Sequence, residues 1–170
     1  MDDNKQVKVK NRVNSLVVYV VPDMGNLKRE FQGQEEKILT FEELRKLSYT
    51  PGGDVILKDY LVIKDKEVLE ALGLNVEPEY FYTKEDIIKL LKEGSLDEFL
   101  DCLDFAPDGV IDLVKEYAVT MPLNDVEKRQ AILDKTGFDV NIAIELQEEQ
   151  LKGIKENATQ RRAAVPSKAD

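Results

Sequence analysis

Histidine is absent from all 170 residues, and its absence removes more chemistry than any other gap in this sequence. Imidazole is the commonest general base near neutral pH and the commonest protein ligand for transition metals. Without it there is no Ser-His-Asp or Cys-His nucleophile arrangement and no usual catalytic zinc site. Loops that cradle phosphates are missing as well, since neither GxxxxGK[ST] nor GxGxxG occurs. Carboxylate-only and lysine-based enzymes survive these exclusions, so the exclusion of catalysis is strong but incomplete. A single cysteine, Cys102, leaves no partner for an internal disulfide, which fits a reducing compartment. Long apolar runs are lacking too. The longest, residues 16–21, has six members, against roughly 20 for a membrane span. The opening MDDNKQ is acidic and polar, unlike a secretory signal peptide. The expectation is a soluble protein of a reducing compartment, not exported by signal peptide, that needs no cofactor and no membrane.

Positive charge is the other scarcity. The chain has 34 acids against 24 bases, a net −10. The imbalance is local: residues 65–117 hold 15 acids and 5 bases. Nucleic-acid affinity rests largely on Lys and Arg neutralising the phosphate backbone, so direct nucleic-acid binding by this acidic body is not expected. Residues 151–170 reverse the sign, with five bases against two acids and a net +3.

What is present reads as two kinds of chain. Val7 and Val9 alternate with Lys8 and Lys10, the period-two pattern of a half-buried strand. Residues 11–15 have turn composition, and LVVYVV follows as a continuous β-branched run, expected to be a buried strand. Pro22, Asp23 and Gly25 break it. A second hairpin is expected from residues 27–31 to residues 37–39, with Gly33 in the connection. Thr40 followed by Glu43 is a capping box opening a short helix, FEELRKL. The run YTPGG ends that helix, and residues 55–63 (VILKDYLVI) read as a closing strand.

From Asp65 the apolar period becomes helical. Asp65, Thr83, Ser95 and Asp139 stand where helix caps belong, with Gly73, Gly94 and Gly137 as stops, and Pro122 and Asn124 reset the chain for a helix over residues 125–135. Pro107 suits the first turn of a helix running to Tyr117. The last helix is expected to run toward Asn157, with a tail beyond. No heptad is long enough to specify a coiled coil. The expected architecture is α+β: a β-rich unit over residues 1–64 with one helical insert, a bundle of about five short helices over residues 65–157, and a basic tail over residues 158–170.

Few residues have a pattern that points to chemistry. Cys102 sits among acids with no neighbouring cation to lower its pKa, so it reads as a small buried hydrophobe and not a nucleophile. Asp97, Glu98, Asp101, Asp104, Asp108 and Asp112 form the densest charge cluster. Their spacing matches no known calcium loop, and a solvated face with helix-start carboxylates explains them better than a cation site. Such a face also suits a basic protein partner. Tyr80, Phe81 and Tyr82 have the composition of an aromatic anchor, although Phe81 packed inside with half-buried tyrosines is the simpler reading. Arg161 and Arg162 give the tail a means of tethering to a partner. The candidate partner-binding residues are therefore Tyr80, Phe81, Tyr82, Asp97, Asp101, Asp104, Arg161 and Arg162.

At VPDMGNLKREF, EELRKLSYTPGGDVILKDYLVI, GSLDEFLDCLDFAPDGVIDLVKEYAV and LDKTGFD the chain resembles small uncharacterised proteins encoded by tailed bacteriophages. The resemblance covers most of residues 6–144 and contains no catalytic or binding motif, so no residue role carries over. It implies a virion-associated or assembly protein, bound to capsid or neck proteins within a larger assembly. Two other functions remain open on the sequence: an intracellular regulatory module that binds a host protein through its acidic helical face, and a carboxylate-metal enzyme acting on phosphate esters.

Overall fold

The computed structural model describes residues 2–74 and 82–163, the last six of these by backbone alone. The fold is α+β, a β-rich N-terminal region followed by helices. The chain divides into two compact units, one reaching to Val114 and the other starting at Lys115.

In the first unit, strands β1 (Gln6–Asn11), β2 (Val17–Val21), β3 (Leu27–Phe31), β4 (Glu36–Thr40) and β5 (Leu61–Ile63) form two antiparallel sheets. One has the order β4-β1-β5, and the other pairs β2 with β3. The expected hairpin between β3 and β4 does not form. β3 pairs back onto β2, and β4 pairs back onto β1. Pro22–Met24 is a single 3-10 turn, and Gly25 and Asn26 adopt left-handed φ of 67° and 58°. That combination reverses the chain and joins β2 to β3.

The two ladders are thus halves of one long hairpin bent at a corner. Val17 faces Phe31 and Lys10 faces Glu36, so residues 11–16 on one arm are set against residues 32–35 on the other. Asn11 holds this uneven corner. Its buried amide donates to the carbonyls of Ser15 and Gln32, both at 2.8 Å, and its Oδ1 accepts from the Val13 amide at 3.0 Å. Gly33 is required because a Cβ there would lie 2.0 Å from the Asn14 carbonyl oxygen. The corner, and not a hairpin turn, is what the glycine between β3 and β4 serves.

The run LVVYVV is also corrected. Val17, Tyr19 and Val21 are buried, but Leu16, Val18 and Val20 are exposed. β2 has one covered face, so composition alone overstated its burial. Residues 55–63 are not one strand either. A turn of α-helix, α2 (Gly53–Val55), runs into a π-helical stretch, Ile56–Tyr60, and only Leu61–Ile63 is extended. Short apolar runs do not distinguish strand from buried helix. Here Gly52, in a left-handed conformation, starts helical backbone.

Helix α1 (Phe41–Ser48) contacts β2 and β4 and buries Phe41, Leu44 and Leu47. Thr40 caps it, accepting from the Glu43 amide at 3.3 Å. The expected capping box is only half made. The Glu43 carboxylate turns inward, where Oε1 accepts from the Tyr19 hydroxyl at 2.7 Å and from Arg29 Nε at 2.9 Å, and Oε2 accepts from Arg29 Nη2 at 2.9 Å. Tyr19 and Arg29 are cross-strand neighbours, so one buried acid pins both strands of the hairpin to the helix. Burial, then the adjacent carboxylate, pushes the Tyr19 phenol well above its usual range.

Six helices follow among the described residues: α3 (Lys66–Leu72), α4 (Lys84–Lys92), α5 (Leu96–Phe105), α6 (Asp108–Thr120), α7 (Val126–Thr136) and α8 (Val140–Ala163). Asp65 caps as expected, Thr83 and Ser95 form full capping boxes, and Asp125, expected as the first helical residue, is instead the cap of α7. Pro107 precedes α6, and its carbonyl accepts the first helical bonds from Val110 and Ile111. The helix continues three residues past Tyr117. In the second unit, Ala131 and Ile132 of α7 and Val140 of α8 are buried, and Arg129 Nη1 donates to Asn141 Oδ1 at 2.6 Å. α8 does not stop near Asn157. It spans 24 residues.

Glu43→Ala leaves Arg29 and Tyr19 without their acceptor. We expect a loss of about 3 kcal/mol in urea unfolding, at the low end for a broken buried pair because Arg29 is partly exposed. Tyr19 releases its proton more readily when unfolded, so its bond contributes its full stability below pH 10, and that contribution is lost as pH rises beyond. Tyr19→Phe should flatten the alkaline limb of a stability–pH profile while lowering stability at neutral pH.

Candidate functional site

The acidic cluster is spread along a helix face. In α5, Asp97, Asp101 and Asp104 recur at the i, i+4, i+7 spacing and are exposed, while Phe99, Cys102 and Leu103 are buried on the opposite side. Glu98 is committed to its cap, accepting from the Ser95 amide at 2.9 Å. Among the described residues, no group of three or more acids or cysteines is placed to hold a metal ion. The face presents dispersed negative charge.

Cys102 is fully buried in α5. Burial pushes its thiol up to about 11; a hydrogen bond with Tyr82 draws it down, and Asp101 raises it. At neutral pH it is a thiol packed in a core. Tyr82 is half-buried and engaged with that thiol, while Tyr80 and Phe81 lie outside the described residues. Arg161 and Arg162 fall within the last turns of α8, whose backbone alone is described there.

A second cluster escaped the sequence reading. Arg12, at the hairpin corner, is 4 % exposed, and its Nε, Nη1 and Nη2 are all buried without a hydrogen-bond partner. Its backbone amide donates to the Tyr60 carbonyl at 2.8 Å. Gly109 lets the aliphatic stem pack closely, since a Cβ there would lie 3.3 Å from Arg12 Cδ and 2.3 Å from the Asp59 carbonyl oxygen. Burial lowers the guanidinium to about 10, against the pull of Asp59. Burial also raises Asp59, and Asp108 adds to that. Tyr60 is raised by burial and then by Asp112, Asp108 and Asp59. Arg12 thus lies beneath an acidic rim. The rim repels anions, and the enclosure keeps solutes from the guanidinium. Arginine within a turn segment carries no sequence signal of burial, because the signal lies in Gly109, nearly a hundred residues away.

The described cleft of about 440 Å³ lies by the C-terminal end of α1, lined in part by Arg45, Tyr49, Val55, Lys58, Asp59 and Leu74. Arg45 is already paired with Asp3 at 2.9 Å. The remaining charges are mixed in sign and select no ligand class. The PGG turn is adjacent in sequence, and Tyr49 and Val55 beside it are exposed.

Among the described residues, α8 leaves several large aliphatic side chains exposed. From Asn141 to Asn157 no side chain is buried, and Ile142, Leu146, Leu151 and Ile154 are each at least half exposed. Ile144, Leu151 and Ile154 share one line along this helix, Ile142 and Leu146 lie well around the helix from it, and Glu145, Glu148, Glu149, Lys152, Lys155 and Glu156 fill the arc on the other flank. The helix following Asp139 was legible in outline; its lack of cover was not. No protein-family model, curated protein or solved structure matches this chain.

Arg12→Met keeps the packed stem and removes three unpartnered donors. We expect it to raise stability at pH 7 by about 1–3 kcal/mol, the cost of a buried unsatisfied group. Because the folded-state pKa is depressed, the cost of the charge is full below pH 10 and eases as pH rises through that value. A parallel pair of urea titrations at pH 7 and pH 10.5 should show the gain shrinking.

Proposed function

We propose that this chain is a non-enzymatic interaction protein that works as a component of a protein assembly. The observation that carries this reading is the uncovered apolar residues of α8. A helix of 24 residues with Val140 as its one buried residue among the described side chains has little tertiary support. Most helical stability in proteins comes from packing an apolar face. Leu151 and Ile154, neighbours on one line of the helix and left in water, therefore call for a covering protein surface. The acidic body fits this reading, since it disfavours nucleic acid.

The resemblance to tailed-phage proteins supports the narrower proposal, an auxiliary structural or assembly protein bound to capsid or neck proteins. A second reading is favoured by the alignment of Asp97, Asp101 and Asp104 on one exposed face of α5. In that reading the protein is a regulatory module that docks on a basic surface of a host protein, with salt-sensitive association.

Particles purified from the source phage should retain the chain through density-gradient sedimentation. Leu151→Glu/Ile154→Glu should reduce its incorporation at least tenfold by quantitative immunoblot, with far-UV circular dichroism unchanged. Clean particles without the wild-type chain would remove the virion reading, and undiminished incorporation of the double variant would remove the role of α8.

A further inference from the structure

We infer that the partner covering α8 is the same helix of a second copy, running antiparallel to it. This rests on the proposal that the α8 face is a contact surface, and it identifies what lies there. Ile144, Gln147, Leu151, Ile154 and Ala158 follow one another at spacings of 3, 4, 3 and 4 residues, the seam of a left-handed helix pair. Ile144 and Gln147 are partly covered, whereas Leu151 and Ile154 farther along the same line are exposed. The free portion of the seam is thus its C-terminal portion.

Charge order selects the occupant and its direction. Residues 140–149 of α8 hold three acids, Glu145, Glu148 and Glu149, and no base. Residues 150–163 hold Lys152, Lys155, Arg161 and Arg162 against Glu156, a net +3. A parallel pair sets like charge beside like. An antiparallel pair sets residues 140–149 of each helix, net −3, beside the C-terminal turns of the other, where Arg161 and Arg162 stand against Glu156, and a two-fold axis repeats every favourable contact. If Leu151 stacks on Ile154 of the second copy, the axis crosses near residues 152–153. Glu148 and Lys155 then flank the seam at equivalent positions, and each meets the other's counterpart across the pair, twice per dimer. Acid-first, base-last order also complements the dipole of a lone helix. That explanation asks nothing of Leu151 and Ile154, and it predicts no coupling between Glu148 and Lys155, which are seven residues apart.

Sedimentation equilibrium of the full chain, from micromolar to near-millimolar concentration, tests this directly. The wild type should approach twice its 19.4 kDa mass as concentration rises. Leu151→Glu and Ile154→Glu should each hold it at one chain mass without loss of helicity. E148K should weaken the dimer roughly tenfold at low salt, and E148K combined with K155E should restore it. A wild type that stays monomeric throughout, a dimer indifferent to Leu151→Glu and Ile154→Glu, or a charge-swapped pair that fails to recover would each overturn the inference. Its failure is separable from that of the function proposed above: a monomeric chain that still loses particle incorporation through Leu151→Glu/Ile154→Glu has a different partner on the same face.

Discussion

One buried carboxylate organises the N-terminal unit. Glu43 is 1 % exposed and accepts three hydrogen bonds, two of them in the planar fork of Arg29. Desolvating an acid is expensive, and only close, well-directed donors offset the cost. Here both donors come from opposite strands of one hairpin, and the acceptor comes from the first turns of a helix. The interaction therefore fixes the angle between hairpin and helix in a way that Leu44 and Leu47, packed nondirectionally beside it, do not. Arg29 keeps about a third of its side chain in water, which lowers the desolvation cost without loosening the geometry.

The hairpin owes its shape to a second polar device, the amide of Asn11. By bonding to carbonyls on both arms of the corner it supplies partners for backbone groups that the broken ladders leave behind. Arg12, its neighbour in the chain, receives no such provision. The two adjacent residues show opposite outcomes of burying a polar side chain: one is satisfied in both its donor and its acceptor, and the other is carried as a cost.

Much of this was legible along the chain. Helix starts at Asp65, Thr83, Ser95 and Asp125 follow from side chains that bond locally to their own helices, so sequence contains both partners within three residues. The failures share the opposite property. Glu43 looked like a local cap because Thr40 stands three residues before it, yet its carboxylate is used by Tyr19 and Arg29, 24 and 14 residues away. Strand pairing failed at Gly33, where a glycine demanded by close approach to Asn14 resembles one demanded by a turn. For the candidate surfaces, the acidic face of α5 was visible as spacing. The exposure of Leu151 and Ile154 was not, since a buried amphipathic helix and an uncovered one have the same pattern.

The bent hairpin has a kinetic side. Because β1–β4 and β2–β3 belong to one reversal of the chain, both ladders can close outward from residues 22–26, each rung shortening the loop for the next. Only β5, three residues long, must wait for a segment delivered from beyond α1. Most of the sheet structure is thereby ordered by neighbouring chain, an arrangement associated with rapid folding and brief exposure of unpaired strand edges.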